Sequence, residues 1–276
     1  MTVDFWRKLT RSMVRALLLG LLCTAMAAAG QDAQTIIQRS VEANERDWQA
    51  APKYDYYETD QEDGNPPKTY QVRMILGSPY KRLVAVNGKE ISAEQQAAEQ
   101  RKMQQSIAQR QAETAEQRGQ RIAKWEKDRK RDHLLMEQLT KAFDFKLLGQ
   151  QRLGPYQVFT LKATPRPDYH PPNVESQVLT GMQGKLWVDT KTFQWVKVQA
   201  KVITPVSIEG FLATVEPGTH FELEKAPVGE GVWEPTHFSM KSQAKVFFFF
   251  NHRSQENDVY FGYQRSTDHL SAAGSR

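Results

Sequence analysis

The chain contains two patterns of apolar positions, one with the period of a helix and one with the period of a strand. Between Ala33 and Trp48 the apolar residues fall largely on one helical face, which predicts an amphipathic helix that ends before Pro52. From position 70 the period becomes two, as in a strand with one apolar face. The residues on that face are Tyr70, Val72, Met74 and Leu76. A turn at 77–79 then leads into a second predicted strand, 81–86.

The segment 92–143 interrupts the strands with a helical composition. It is rich in Gln, Glu, Ala, Lys and Arg, contains no proline, and opens with the capping-box pattern Ser92-Ala-Glu-Gln95. A single helix would be about 75 Å long at 1.5 Å per residue, so we expect two helices with a break near Gly119. The thin apolar stripe leaves two interpretations open. The segment is either a largely solvated excursion anchored by 135–143, or a lid or partner-binding arm.

From Phe145 onwards the sequence has almost entirely the character of strands. Predicted strands cover 156–163, 184–188, 193–203, 220–225, 236–250 and 259–265, with a proline-rich loop at 164–182. The strand 236–250 alternates apolar and polar residues until Phe247 and Phe249 occupy the polar side. Many alternating strands at short spacing predict an antiparallel sheet with one apolar face and one solvated face.

The first 29 positions combine a basic start, a short apolar run at 16–23 and a series of small residues. This order is typical of a secretory signal peptide, and the run is shorter than the roughly 20 residues that a membrane-spanning helix needs. We therefore expect residues 1–29 to be removed near Ala29 on export across the inner membrane. Leu22 before Cys23 does not fit a lipoprotein signal. The mature chain is then expected to contain no cysteine and no disulfide.

The net charge of +5 overstates the basicity of the exported part. Removal of the signal peptide takes away four basic residues and one acidic residue: Asp4, Arg7, Lys8, Arg11 and Arg15. The remaining charge of about +2 is small beside the basic surfaces that bind nucleic acid. Nucleic acid is therefore excluded as a partner.

The residue types that carry catalysis are not grouped in this sequence. Its six histidines are scattered, and it contains no metal-binding helix motif, serine nucleophile elbow or phosphate-binding glycine loop. Asp168 and His170 are neighbours in the proline-rich loop, but adjacent loop residues rarely converge on one atom. We expect a protein without catalytic residues, metal or cofactor.

Three short motifs carry a resemblance to a known family. They are Met74-Ile-Leu-Gly-Ser-Pro-Tyr-Lys-Arg-Leu83 followed by Asn87-Gly-Lys89, Gly184-Lys-Leu-Trp-Val-Asp189, and Tyr260-Phe-Gly-Tyr-Gln-Arg265. With the order of the predicted elements, they resemble the LolA/LolB-like lipoprotein-sorting carriers of the bacterial envelope, whose relatives include a periplasmic stress-sensing regulator. The resemblance implies an α+β fold, an antiparallel half-barrel closed by helices. It implies one LolA-like domain at 30–265 with the insertion 92–143, followed by a disordered tail at 266–276.

The resemblance further implies a periplasmic protein that binds a lipid or acylated polypeptide in an apolar groove. The expected lining is Tyr70, Val72, Met74, Leu76, Leu186, Val188, Phe238, Met240, Val246, Phe248 and Phe250. Ten buried methylenes at about 0.8 kcal/mol each would supply about 8 kcal/mol before ordering costs. The same residues could instead form a filled core. A second interpretation is an envelope regulator or assembly factor that binds a protein partner through 92–143, and peripheral contact with a membrane also stays open.

Overall fold

The computed structural model describes residues 32–208, 213–246 and 250–267. Its α-helices are α1 (Ala33–Ala50), α2 (Ala93–Gln111) and α3 (Ala115–Ala142), and its 3₁₀ helices are Ala51–Lys53 and Glu175–Gly181. Its strands are β1 (Tyr54–Glu62), β2 (Lys68–Ile75), β3 (Ser78–Val86), β4 (Lys89–Glu90), β5 (Phe143–Leu153), β6 (Tyr156–Pro165), β7 (Met182–Asp189), β8 (Trp195–Val202), β9 (Val206–Ile208), β10 (Ala213–Val215), β11 (His220–Gly229), β12 (Val232–Val246) and β13 (Phe250–Arg265).

These strands form one large antiparallel sheet. Its order is β4-β3-β2-β1-β13-β12-β11-β8-β7-β6-β5, and the short strands β9 and β10 extend it beside β12. Strand β13 lies between β1 and β12, so the first and last strands meet inside the sheet. Within the three described ranges the outer strands β4 and β5 do not pair, and the sheet stays open. The predicted α+β class, with an open antiparallel half-barrel and helices, is confirmed.

The main core lies at the end of the sheet that β5 to β8 form. Helix α1 begins after Asp32, whose side chain accepts a hydrogen bond from the Thr35 amide at 2.6 Å. Its residues Ile36 and Ile37 are buried in this core. The core also contains Phe143, Phe159, Leu161, Leu186, Val188, Trp195 and Val198. Each fully buried aliphatic or Phe side chain contributes about 1.5–3 kcal/mol, so this end of the concave face is a packed platform.

The segment between β4 and β5 forms two helices, but their junction lies earlier than the predicted position near Gly119. Ser92 caps α2 and Thr114 caps α3, each in a capping box with the glutamine three residues later. The second box satisfies the amides that open α3, so Gly119 falls inside that helix. None of the described helices has the length and apolar character that crossing a membrane requires.

Two arginines fasten α2 and α3 to the turn between β2 and β3. Arg110 Nη1 donates hydrogen bonds to the carbonyl oxygens of Ile75 and Ser78, at 2.7 and 2.9 Å. Arg121 donates to Ser78 Oγ at 2.7 Å and forms an ion pair with Glu113 at 2.6 Å. The helical excursion is therefore attached at this turn, as well as at the point where α3 runs into β5.

Several strand boundaries differ from the predicted ones. Leu76 and Gly77 have φ angles of 49° and 89° and form the turn themselves, so Leu76 leaves the apolar face of β2 and Ser78 already belongs to β3. Strand β1 was not predicted, because its tyrosines and acidic residues give no apolar face. Strand β13 begins at Phe250 rather than 259, and a 3₁₀ helix lies within the loop predicted at 164–182.

Candidate ligand-binding groove

Two adjoining cavities lie between the helices and the concave face of the sheet. The first has a volume of about 360 Å³ and is lined by Tyr56, Val72, Met74, Trp125, Tyr260 and Tyr263, among others. The second has a volume of about 390 Å³ and is lined by Asp47, Trp48, His133, Trp195, Leu223 and Lys225, among others. Ala51, Arg129, Glu234 and Pro235 bound both cavities. We call the combined space the α3 groove.

Three tyrosines form an aromatic wall of the first cavity. The ring of Tyr56 stacks on Tyr263 with centroids 5.2 Å apart and lies 6.1 Å from the ring of Tyr260. The Tyr263 hydroxyl donates to the Pro235 carbonyl at 2.7 Å, and the Tyr260 hydroxyl donates to Asp258 Oδ2 at 3.2 Å. Burial raises the pKa of all three tyrosines, so they stay neutral hydrogen-bond donors.

Arg129 of α3 stands on the helix side of both cavities. Its guanidinium carbon lies 4.0 Å from the ring centroid of Trp48 and 5.6 Å from that of Trp125. Trp48 also stacks on His133, with centroids 4.4 Å apart, and these contacts fix Arg129 between α1 and α3. Arg129 Nη1 pairs with Glu126 Oε2 at 3.1 Å, whereas the buried Nη2 has no hydrogen-bond partner within the described part of the chain.

Asp47 of α1 organises the floor of the second cavity. Its Oδ1 accepts hydrogen bonds from the Trp233 amide at 3.1 Å and from Gln194 Nε2 at 3.0 Å. Its Oδ2 pairs with Lys225 Nζ at 3.1 Å, and the same ammonium donates to Asn44 Oδ1 at 3.0 Å. One carboxylate thereby ties α1 to β11, to β12 and to Gln194, the residue before β8.

Glu234 of β12 lies where the two cavities meet. The residue is 8% exposed, and its Oε1 finds no hydrogen-bond partner among the residues described. Burial raises the pKa of Glu234 to about 7, and the nearby charge of Asp47 adds to the shift while Lys225 and Arg129 oppose it. A carboxyl group that is buried without a full set of partners is uncommon in folded proteins.

Further acidic residues lie beside the tyrosines on the concave face. Asp258 is 4% exposed, and its Oδ1 has no hydrogen-bond partner within residues 32–208, 213–246 and 250–267. Burial raises the pKa of Asp258. Burial and the neighbouring Asp258, with which Glu256 shares a side-chain hydrogen bond, raise the pKa of Glu256 to about 7. Lys81 Nζ lies 2.6 Å from Glu58 Oε2. Among the described side chains no group of three or more His, Cys, Asp or Glu is arranged to hold a metal ion.

The residues predicted to line the groove separate into two groups on the sheet. Val72 and Met74 of β2 line the first cavity, and Tyr70 lies on the same face of that strand. Leu186 and Val188 lie in the packed core, 4% and 0% exposed, at the opposite end of the sheet from β2.

The other predicted residues belong to β12, β13 and the turns. Phe238 and Met240 are half-buried and pair with Asp258 and Glu256 of β13. Leu76 lies in the turn after β2. Val246 and Phe250 end β12 and begin β13 as paired residues, and their side chains lie outside what the structure describes. Phe248 lies outside the described residues.

Several groove residues were not selected from the sequence. Tyr56 belongs to β1, where tyrosines follow one another among acidic residues. This run of tyrosines was the one feature of the sequence that could have indicated a groove residue. Trp125 and Arg129 lie in the helical segment, whose thin apolar stripe gave no sign of a cavity beneath it. Glu234 precedes a proline in β12, and nothing in its local sequence marks it as buried.

The comparisons with known proteins concern overall structure. No protein-family profile matches the chain, and no curated protein matches it in sequence. It is similar to a LolA superfamily protein from Nitrosomonas europaea, with 11% identity and a TM-score of 0.32 over 85% of this chain and 93% of that one. A domain named as an outer membrane lipoprotein-sorting protein, from Vibrio parahaemolyticus, has 11% identity and a TM-score of 0.30 over 84% and 94% of the chains. A third similar structure is the MucA/MucB complex of Pseudomonas aeruginosa, with 10% identity and a TM-score of 0.25 over 85% and 99%.

Proposed function

We propose that this chain is a periplasmic LolA-like protein that binds a lipid, or the acyl chains of a lipidated protein, in the α3 groove. Residues 1–29 would act as the signal peptide, and 30–265 would form the single binding domain, which acts without catalysis. The observation that carries the proposal is the pair of adjoining cavities of about 360 and 390 Å³. Their size falls within the range of about 300–1,000 Å³ that small-molecule sites occupy.

The walls of the groove suit a ligand with an apolar tail and a polar end. Met74, Trp125 and Leu223 supply apolar surface in the two cavities, and a methionine side chain adapts to disordered hydrocarbon. Burial of ten methylenes contributes about 8 kcal/mol before ordering costs. The polar groups of Arg129 and Glu234 stand together where the cavities meet, so the polar end of a ligand would lie there.

Native mass spectrometry of protein purified from the periplasm tests this proposal. The wild-type protein should carry lipid or acylated peptide, and Met74→Trp should lose most of it because the larger side chain occupies the first cavity. Val259→Trp is the matched control, since Val259 is exposed on β13 at 39%. Thermal unfolding of both variants verifies that they fold. Equal lipid retention by the two tryptophan variants would exclude the α3 groove as the binding site.

A second candidate is a regulator or assembly factor that binds a protein through the helical insertion. The observation that favours it is the exposure of α2: of its residues, all of which are described, Met103 alone is buried. The double variant Glu94→Lys/Arg101→Glu changes exposed charges on this helix. Loss of a captured envelope protein by this variant, from a chain that carries no lipid, would support this candidate against the first.

A further inference from the structure

We propose that the α3 groove selects lipids whose headgroup carries both an ammonium and a phosphate group. The ammonium would lie against Glu234 and the stacked tyrosines, and the phosphate would lie against Arg129. This inference rests on the proposed lipid-binding function and adds the chemical class of the headgroup.

The ammonium side of the site is defined by Glu234 and two aromatic rings. Glu234 is more than nine-tenths buried, and its Oε1 is unpaired within the described ranges, although the residue bounds both cavities. An unmatched buried acceptor costs about 1–3 kcal/mol, and more when it is charged. Tyr56 and Tyr263, stacked 5.2 Å apart, line the same cavity, and aromatic faces attract ammonium groups. An ammonium ligand would satisfy the carboxylate and use the rings.

The surrounding charges favour a cation at this point. Asp47 of α1 faces Glu234 from one side, and Glu58 of β1 and Asp258 of β13 lie on the same concave face, next to Tyr260. The cations whose charge acts on Glu234 are Lys225 and Arg129. Lys225 donates to Asp47 and Asn44, and Arg129 pairs with Glu126. Lys81 pairs with Glu58. Even with this third cation, the four carboxylates of Glu234, Asp47, Glu58 and Asp258 outnumber the cations around the aromatic wall.

The phosphate side of the site is defined by Arg129. Its Nη2 is buried and lacks a hydrogen-bond partner in the described part of the protein, while stacking on Trp48 holds the guanidinium in place. Arginine forms strong charge-assisted hydrogen bonds with phosphate oxygens. Because Arg129 and Glu234 bound the same two cavities, one headgroup at their junction can reach both. A lipid with phosphate but no ammonium would place a negative charge near Glu234 and leave that carboxylate unpaired, and the site should reject it.

Competition between two phospholipids tests the proposal. The purified protein is incubated with vesicles that contain phosphatidylethanolamine and phosphatidylglycerol in equal amounts with the same acyl chains, then re-isolated, and its lipids are quantified by mass spectrometry. We expect phosphatidylethanolamine to be enriched about tenfold, as one charge-assisted hydrogen bond allows. Glu234→Gln should bring the ratio close to one with total lipid unchanged. Arg129→Gln should lower both lipids and keep the preference.

The controls separate this inference from the proposed function. Glu224→Gln makes the same chemical change on the other face of the sheet, where Glu224 pairs with Lys197, and should keep the wild-type ratio. Tyr56→Leu, which removes one ring, should also reduce the preference and serves if Glu234→Gln does not fold. Equal uptake of both lipids by the wild type, or full preference in a folded Glu234→Gln, would overturn the headgroup inference and leave lipid binding intact. No uptake of either phospholipid would overturn the headgroup inference, whereas the proposed function fails only if protein purified from the periplasm carries neither lipid nor acylated peptide.

Discussion

Replacement of Asp47 tests how α1 is fastened to the sheet beside the groove. The residue is 3% exposed and accepts hydrogen bonds from the Trp233 amide, Gln194 and Lys225. The side chain of Lys225 is itself 9% exposed, so the ion pair is buried. Burial nevertheless raises the pKa of Asp47, which shows that its partners do not fully offset the loss of solvation.

The two oxygens of Asp47 have different partners, since Oδ1 accepts hydrogen bonds from neutral donors and Oδ2 pairs with Lys225. Asp47→Ala removes both carboxylate oxygens and leaves the buried Lys225 ammonium without its ion-pair partner, so we expect the free energy of unfolding to fall by about 3–5 kcal/mol. Asp47→Asn keeps an oxygen for Trp233 and Gln194, which both bind Oδ1, and loses the charge that faces Lys225. Its cost should be smaller, about 1.5–3 kcal/mol, the contribution of a hydrogen bond to a charged group.

A double-mutant cycle measured by urea unfolding completes the test. Lys225→Met removes the other half of the pair, and Asp47→Asn/Lys225→Met should cost less than the sum of the single changes, because the loss of a buried ion pair as a unit is often nearly neutral. Asp144→Asn is the control, since Asp144 forms an exposed pair with Arg166 that is worth about 0–1 kcal/mol. Additive costs, or equal costs for Asp47→Asn and Asp144→Asn, would refute this account of the ion pair.

Two further predictions concern the groove and the helices above it. In the folded protein the pKa of Glu234 is raised from 4.5 to about 7. Between these pH values the unfolded chain therefore binds fewer protons than the folded protein does. The free energy of unfolding should fall by about 3 kcal/mol as the pH rises through this window and then level off. The pKa of Glu256 is also raised to about 7, so urea unfolding at several pH values should show a slope in the wild type that is smaller by this amount in Glu234→Gln. An equal slope in both proteins would contradict the prediction. Arg121→Ala removes the bonds to Ser78 and Glu113 and should speed amide hydrogen exchange throughout α2 and the start of α3. The control variant Lys124→Ala, which changes an exposed side chain, should not. Equal exchange rates in the two variants would show that Arg121 does not anchor the helices.

The elements with an apolar period could be predicted from the sequence, and those without one could not. Helix α1 and strand β2 each have one apolar face, and the structure confirms both elements. Each face of strand β1 mixes tyrosines with acidic residues, so neither face looks buried, yet Tyr54 is 4% and Glu58 is 7% exposed. That burial comes from β2 and β13 on either side, and these long-range pairings leave no mark in the local sequence.

Long-range contacts also explain why part of the groove could not be predicted from the sequence. Alternation identifies which face of a strand is apolar, but it does not tell what covers that face. Val72 and Val188 have the same pattern, yet Val72 lines a cavity and Val188 is fully packed. Arg129 and Glu234 are distant in sequence and meet at the groove because α3 crosses the sheet, which no local pattern could show.

The concave face of the sheet combines two physical roles that a single packed core could not. At the β5 to β8 end, fully buried apolar side chains such as Leu161 and Val188 fill the space, and their burial stabilises the domain. At the end formed by β1, β2, β12 and β13, Glu234 keeps a buried carboxylate oxygen unpaired within the described residues, an arrangement that lowers stability. The packed end supplies the stability of the domain, so the domain can bear the cost of an unpaired carboxylate in the groove. A sheet stabilised at one end can therefore keep a buried polar group without a hydrogen-bond partner at its other end.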